Sequence, residues 1–166
     1  MLGRERAATD AHMLRHALRR ARPQQLLTSR ARWLCSADEL ALPLYQSLVD
    51  CTLQGIERVV EDYADATPTQ DIDVEFSGDV LNVGLGERGT FVLNKQGPNK
   101  QIWLSSPVSG PLRYDFSMDA QEWQNVRDGR PLLGMLSDDL ETLIGDRVEF
   151  DSVQEEIREV VADEAR

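Results

Sequence analysis

Carboxylate groups recur at short intervals between positions 50 and 75 and are the groups most able to do chemistry. On a predicted helix they are spaced three or four residues apart, and on a predicted strand they alternate; the acids are Asp50, Glu57, Glu61, Asp62, Asp65, Asp71, Asp73 and Glu75. Hard cations prefer such oxygen ligands. Like charges at helical spacing also repel by roughly 0.2–0.5 kcal/mol per pair. These rows predict either weak capture of a cation or a solvated surface that protects a strand from edge-to-edge pairing.

The sequence gives little support for a nucleophilic or phosphate-binding site, and no catalytic residue is predicted. The two histidines, His12 and His16, precede residue 38, and their spacing of four is interpreted as incidental. No histidine base is therefore present beside a serine or cysteine nucleophile in the remainder. The glycine-rich stretch 84–89 joins two predicted strands and lacks the Lys-Ser/Thr of a phosphate loop, so it is interpreted as a hairpin turn. A cation on the acidic rows would stay hydrated and be easily passed on, as in a carrier or sensor.

Two helices and several strands position these acids. Apolar residues at three- and four-residue spacing predict a helix over 42–66, with Pro43 in its first turn and Pro68 after its end. A second helix is predicted to begin after Pro131 and to stop at Gly145. Short alternating segments with tight turns fill the region between them, which indicates an antiparallel meander.

This order predicts an α+β fold: a two-layer sandwich with two terminal helices packed on one face of an antiparallel sheet of about five to seven strands. The segment after Arg147 has Phe150, Val153, Ile157 and Val160 at spacings that fit a short amphipathic helix, although a frayed tail fits equally well.

Trp103 occupies an unexpected position on the strand Lys100–Ser105. Ile102 and Leu104 share one face of this strand, whereas Trp103 shares the other with polar residues. Since two helices can cover only one face of the sheet, Trp103 is predicted to lie on the open face as an anchor for another protein. The alternative is that a loop or the C-terminal tail covers it.

The charge is divided unevenly along the 166 residues. Residues 1–37 carry eight arginines against two acids, a charge of +6 in a chain of net charge −11, so residues 38–166 carry −17. The basic part is typical of a mitochondrial presequence, with a disordered basic arm as the alternative. We therefore expect a presequence over 1–37, a folded domain over 38–147 and an acidic tail over 148–166. The acidic part disfavours binding to nucleic acid or membrane surfaces, and two cysteines make no disulfide framework, which favours a reducing compartment.

A long segment of the chain resembles frataxin. The stretch NKQGPNKQIWLSSP (94–107), followed by SGPLRYDF (109–116), is similar to the signature of that family, and EDYAD (61–65) is similar to the end of its acidic helix. The resemblance covers roughly residues 42–146. It implies an α+β sandwich in the mitochondrial matrix with weakly bound surface iron, Fe(II) or Fe(III).

The resemblance also implies roles for particular residues. Its ridge positions, together with Glu57 one position away, define what we call the acidic ridge: Asp50, Glu57, Glu61, Asp62, Asp65, Asp71 and Asp73. Its partner-binding positions define what we call the sheet-face cluster: Asn94, Gln96, Gln101, Trp103 and Arg113. Arg58 stands where animal members carry an acid, and we expect it to pair with Glu61 or Asp62.

Three functional hypotheses remain open at this point. In the first, implied by the resemblance, the chain activates sulfur transfer from a cysteine desulfurase to an iron–sulfur scaffold protein, and it also delivers iron for cluster and haem synthesis, with ferrochelatase as a further candidate partner. In the second, the chain is a ferroxidase that oxidises Fe(II). In the third, it is an interaction module whose acids only keep it soluble.

Overall fold

The computed structural model describes residues 40–164. Three helices are present: α1 (Leu42–Ala66), α2 (Leu132–Ile144) and α3 (Asp151–Glu164). Six strands form one sheet: β1 (Asp73–Ser77), β2 (Val80–Gly84), β3 (Thr90–Gln96), β4 (Gln101–Ser106), β5 (Gly110–Ser117) and β6 (Glu122–Asn125). The expected presequence over 1–37 lies outside the described residues. None of the described helices is long and apolar enough to cross a membrane.

The sheet is a simple antiparallel meander in the order β1-β2-β3-β4-β5-β6, which confirms the predicted α+β sandwich. Tight turns connect neighbouring strands, and the glycine-rich stretch forms a short 3-10 turn at Gly86–Arg88, between β2 and β3 as expected. The strand β1 forms one edge of the sheet and packs against α1. The acidic rows of α1 and β1 therefore lie on neighbouring elements.

Both predicted helices form with the expected bounds because the sequence supplies their end signals. Pro43 lies in the first turn of α1, and Gly145 ends α2 in the left-handed conformation with φ 76°. The apolar side of α1 is buried against the inner face of the sheet, where Trp123 of β6 donates a hydrogen bond to the Thr52 hydroxyl at 2.9 Å. Trp123 also packs edge-on against Tyr45 and Phe116.

The segment after Arg147 forms the third helix rather than a frayed tail. Val153, Ile157 and Val161 of α3 are buried against α1. The two helices approach closely at Gly55, where an added Cβ atom would lie 2.9 Å from a methyl group of Val153. The C-terminal segment therefore packs in the helical layer and does not cover the sheet face that carries Trp103.

Candidate cation-binding and partner-binding surfaces

The acidic ridge runs along α1 and across to the edge strand. Its side chains on the C-terminal half of α1 and around β1 are exposed, namely Glu61, Asp62, Asp65, Asp71 and Asp73, whereas Asp50 and Glu57 are partly buried. Because β1 is the edge strand beside α1, the two acidic rows lie on neighbouring elements at the same edge of the sheet. Within residues 40–164, no three carboxylate, histidine or cysteine side chains converge into a metal-binding cluster. The ridge therefore fits a hydrated cation held by one or two carboxylates at a time.

One member of the ridge already has a cationic partner. The Lys95 ammonium group of β3 forms an ion pair with Asp50 and lies 3.6 Å from the carboxylate of Asp79, in the β1–β2 turn. The side chain of Lys95 is only 19% exposed, so this charge stays close to both acids. A metal cation would have to displace Lys95 to reach Asp50, which leaves the C-terminal half of the ridge as its more accessible part.

Asp71 is held in place by the turn between β2 and β3. It adopts the left-handed conformation with φ 51°, and a side chain on Gly86 would collide with its carboxylate. Arg88, in the β2–β3 turn, also holds the residue before Asp71. Its guanidinium donates hydrogen bonds to the Gln70 side-chain oxygen at 2.7 Å and to the Gln70 carbonyl. The backbone on either side of Asp71 is therefore attached to the sheet rather than free in a loop.

The expected pairing of Arg58 with Glu61 or Asp62 is not what the structure shows. Arg58 instead donates a hydrogen bond to Glu156 of α3 and forms an ion pair with it, and this raises the pKa of its guanidinium. The contact could not be anticipated from α1 alone, since the two residues are 98 positions apart. Arg58 joins the two helices, and the C-terminal half of the ridge keeps its negative charge.

Several pKa shifts fall on groups that serve packing. Burial raises the pKa of the Cys51 thiol, and the nearby Glu156 carboxylate raises it further, so the thiolate nucleophile is disfavoured. Burial likewise raises the pKa of the Tyr45 and Tyr114 phenols. These residues supply no acid, base or nucleophile at neutral pH.

The sheet-face cluster is assembled on three adjacent strands. Trp103 of β4 lies directly opposite Asn94 of β3 and Arg113 of β5, and Gln101 lies opposite Gln96. The Arg113 guanidinium carbon is 4.4 Å from the centroid of the Trp103 ring, a cation–π contact. The structure thus brings together all five residues that the resemblance assigned to partner binding.

Hydrogen bonds hold the cluster in one arrangement. The Trp103 indole donates to Gln101 Oε1 at 2.9 Å, and Gln101 Nε2 donates to Asp115 Oδ1 at 2.8 Å. Gln96 Nε2 donates to Asn94 Oδ1 at 2.9 Å. From the opposite side of the sheet, the Tyr45 hydroxyl donates to the Gln101 carbonyl at 3.0 Å, so α1 supports the strand that carries Trp103.

A buried carboxylate supports the other end of β4. Asp139 of α2 is 5% exposed and accepts hydrogen bonds from the hydroxyls of Ser106 at 2.6 Å and Ser109 at 2.8 Å. Ser106 Oγ in turn accepts the backbone N–H groups of Val108 and Ser109. This set of contacts, which sequence reasoning missed, attaches the β4–β5 turn to α2.

Replacing Asp139 with alanine is expected to lower the free energy of unfolding by about 2 kcal/mol, because two serine hydroxyls lose their acceptor in a buried site. Urea unfolding measures this effect. Asp138→Ala is the matched control, since Asp138 is half exposed and pairs on the surface with Arg130 and Arg147; its loss should cost less than about 1 kcal/mol. Equal losses in the two variants would contradict the supporting role of Asp139.

Two further residues of the open face were missed by sequence reasoning. Val126 and Arg127 follow β6 and line the same surface hollow as Trp103 and Arg113. The Val126 N–H donates to the Arg113 carbonyl at 3.0 Å, which extends the pairing with β5 beyond the end of β6. The only sequence signal was an apolar residue followed by an arginine just after a short strand.

Known proteins share this fold and much of this sequence. A family model described as the frataxin-like domain matches residues 38–146. The mitochondrial frataxin of Arabidopsis thaliana is 40% identical over 106 residues, which cover 64% of this chain and 57% of that protein. The mitochondrial frataxin homolog of Schizosaccharomyces pombe is also 40% identical over 106 residues, covering 64% of this chain and 67% of its own length. The chain thus spans just over half of the plant relative.

Solved structures agree with the sequence relatives. A trimeric frataxin from Saccharomyces cerevisiae, complexed with ferrous iron, superposes with a TM-score of 0.54 at 38% identity, covering 60% of this chain and 87% of that one. A second yeast frataxin structure superposes with a TM-score of 0.56 at 33% identity, covering 85% of this chain and 98% of that one. With the family model matching well over half of its residues, the chain belongs to the frataxin-like family.

Proposed function

We propose that this protein activates sulfur transfer by the cysteine desulfurase–scaffold complex of mitochondrial iron–sulfur cluster assembly and binds iron weakly on its acidic ridge. The observation that carries the proposal is the open sheet face, on which a partly exposed tryptophan and an arginine stack at 4.4 Å. Tryptophan and arginine are the residue types that most often dominate protein-binding energy.

The arrangement of that face supports docking rather than catalysis. Trp103 and its neighbours are fixed by hydrogen bonds to each other and by Tyr45 from beneath. A rigid surface binds with little loss of side-chain freedom. Within residues 40–164, the face holds no histidine or thiol that could act on a substrate, so its chemistry is recognition.

The ridge supports weak iron binding for a different reason. Its accessible carboxylates on α1 and β1 are exposed and dispersed, which suits a hydrated Fe(II) ion that must later be released. A yeast relative is described in complex with ferrous iron. The ion would neutralise like charges that repel one another along α1.

The compartment follows from composition and from the relatives. Residues 1–37 are arginine-rich and nearly free of acids, which suits a presequence for the mitochondrial matrix, and the relatives from plant and fission yeast are named as mitochondrial. In this proposal residues 38–147 form the working domain. The acidic segment 148–166 contributes α3 as a support for α1.

Anaerobic titration of residues 38–166 with Fe(II), followed by amide NMR, tests the ridge. We expect paramagnetic broadening confined to the C-terminal half of α1 and to residues 71–75, because exposed carboxylates concentrate there. Asp50 is expected to broaden less than Asp65, since Lys95 already neutralises it.

Two double variants of equal charge change make the titration specific. Glu61→Gln with Asp65→Asn should remove most of the broadening on α1. Asp119→Asn with Glu155→Gln removes two exposed acids elsewhere and should leave it unchanged. Uniform broadening across the protein, or equal behaviour of the two double variants, would rule out the ridge as the iron site, and the sulfur-transfer role would then depend on the sheet face alone.

A further inference from the structure

The open sheet face contains a hollow of about 490 Å³ beside Trp103. Its walls are partly apolar, formed by Val92, Trp103, Pro111 and Val126, and partly amide, formed by Asn94 and Gln96. Two guanidinium groups, those of Arg113 and Arg127, also line it. Among the described residues that form its walls, none is acidic.

Arg127 is held at this hollow by its backbone. Asn125 is 1% exposed, and its side-chain oxygen accepts the Arg127 N–H at 2.8 Å. The same residue accepts the Gly129 N–H and donates to the Arg130 carbonyl, so the turn after β6 is closed on itself. The Arg127 side chain is exposed and has no ion-pair or hydrogen-bond partner within residues 40–164.

The charge of the hollow is opposite to that of its surroundings. Residues 38–166 carry a net charge of −17, yet the hollow presents two positive groups that no wall residue neutralises. The neighbouring acids are turned to other contacts: Asp115 accepts from Gln101, and Asp128 accepts the Arg130 N–H at 3.1 Å. A long phosphate polymer would also contact the acidic remainder of the domain and be repelled by it. A short protein segment can contact the hollow without contacting that remainder.

We infer that Arg127 and Val126 extend the partner-binding face to the end of β6, and that an acidic segment of the partner protein binds there. One carboxylate of that segment lies between Arg113 and Arg127, and an adjacent apolar side chain covers Val126 and the Trp103 ring. This inference rests on the proposed function for the identity of the partner. It adds the chemistry of the partner surface and two residues outside the sheet-face cluster.

The test is binding of the full chain to the cysteine desulfurase–scaffold complex, measured by titration at about 0.1 M and 1 M salt. Arg127→Gln should raise Kd roughly fivefold at the lower salt, and Arg127→Lys should recover most of the loss because it keeps the charge. The difference between wild type and Arg127→Gln should shrink at the higher salt, where the Debye length falls from ~10 Å to ~3 Å.

Arg130→Gln is the matched control. Arg130 lies three residues away in the same turn, pairs with Asp138 at 3.1 Å, and does not line the hollow, so its loss should leave Kd unchanged. Equal binding by wild type and Arg127→Gln would overturn this inference and leave the proposed function standing. A loss of binding that does not depend on salt would overturn the acidic partner, and failure of the wild-type chain to bind would overturn the inference together with the proposed function.

Discussion

Trp103→Ala is expected to abolish activation of the cysteine desulfurase–scaffold complex while leaving the fold intact. Trp103 is the largest side chain on the open face and stacks with Arg113, so its removal leaves a gap at the centre of the proposed docking surface. Central aromatic residues of this kind contribute about 2–4 kcal/mol to binding, which corresponds to an affinity loss of about thirtyfold or more. Sulfur transfer at a fixed concentration of the protein measures the effect.

The expected cost in stability is small, because Trp103 is partly exposed and contributes one cation–π contact of about 0.5–1 kcal/mol and one hydrogen bond to Gln101. Asp119→Ala, at an exposed position between β5 and β6 that does not line the hollow, is the control and should leave activation unchanged. Fe(II) binding on the ridge should also be unchanged, since the two surfaces lie on different elements. Full activation by Trp103→Ala would show that the sheet-face cluster is assigned to the wrong role.

Ile157→Ala is expected to lower the free energy of unfolding by about 3 kcal/mol, the largest stability effect that we predict for α3. Ile157 is fully buried where α3 packs on α1, and the truncation leaves a cavity that the two helices cannot close. A loss of this size lowers Tm by roughly 10 °C in a domain of this length. Thermal unfolding followed by circular dichroism measures it.

Arg158→Ala is the control for this change, because Arg158 is the next residue on α3, is half exposed and pairs with Glu155 in the same helix. It should alter the unfolding free energy by less than about 0.5 kcal/mol. Below the melting transition, Ile157→Ala should still activate the desulfurase complex, since α3 lies on the layer opposite the docking face. Equal midpoints for Ile157→Ala and wild type would mean that α3 does not pack on α1 in solution.

The elements that could be predicted from sequence are those whose signals are local. The helix α1 shows apolar spacing over seven turns with prolines near both ends, and strands such as β1 and β5 alternate between apolar and polar residues. The position of Trp103 on the open face followed from this alternation together with the number of helices available to cover the sheet. These inferences need only the period of a helix or a strand.

What could not be predicted depends on contacts between distant residues. The helix after Arg147 packs closely on α1 because Gly55, some hundred residues earlier, leaves room for Val153. Val160 was expected on the apolar side and does pack there, partly buried; Val161, one position later, is also on that side and was not anticipated. The pairing of Asp50 with Lys95 joins α1 to β3, and no local pattern in either element indicates it.

The hydrogen bonds among Trp103, Gln101 and Asp115 have a kinetic consequence. Because these side chains are already ordered in the free protein, this protein's surface need not rearrange when a partner binds. Association is then that of two rigid bodies, with rate constants of about 10⁵–10⁷ M⁻¹s⁻¹, and variants of the face differ mainly in how long the complex lasts. Under the proposed function, the protein would therefore regulate its partner through residence time rather than through the speed of encounter.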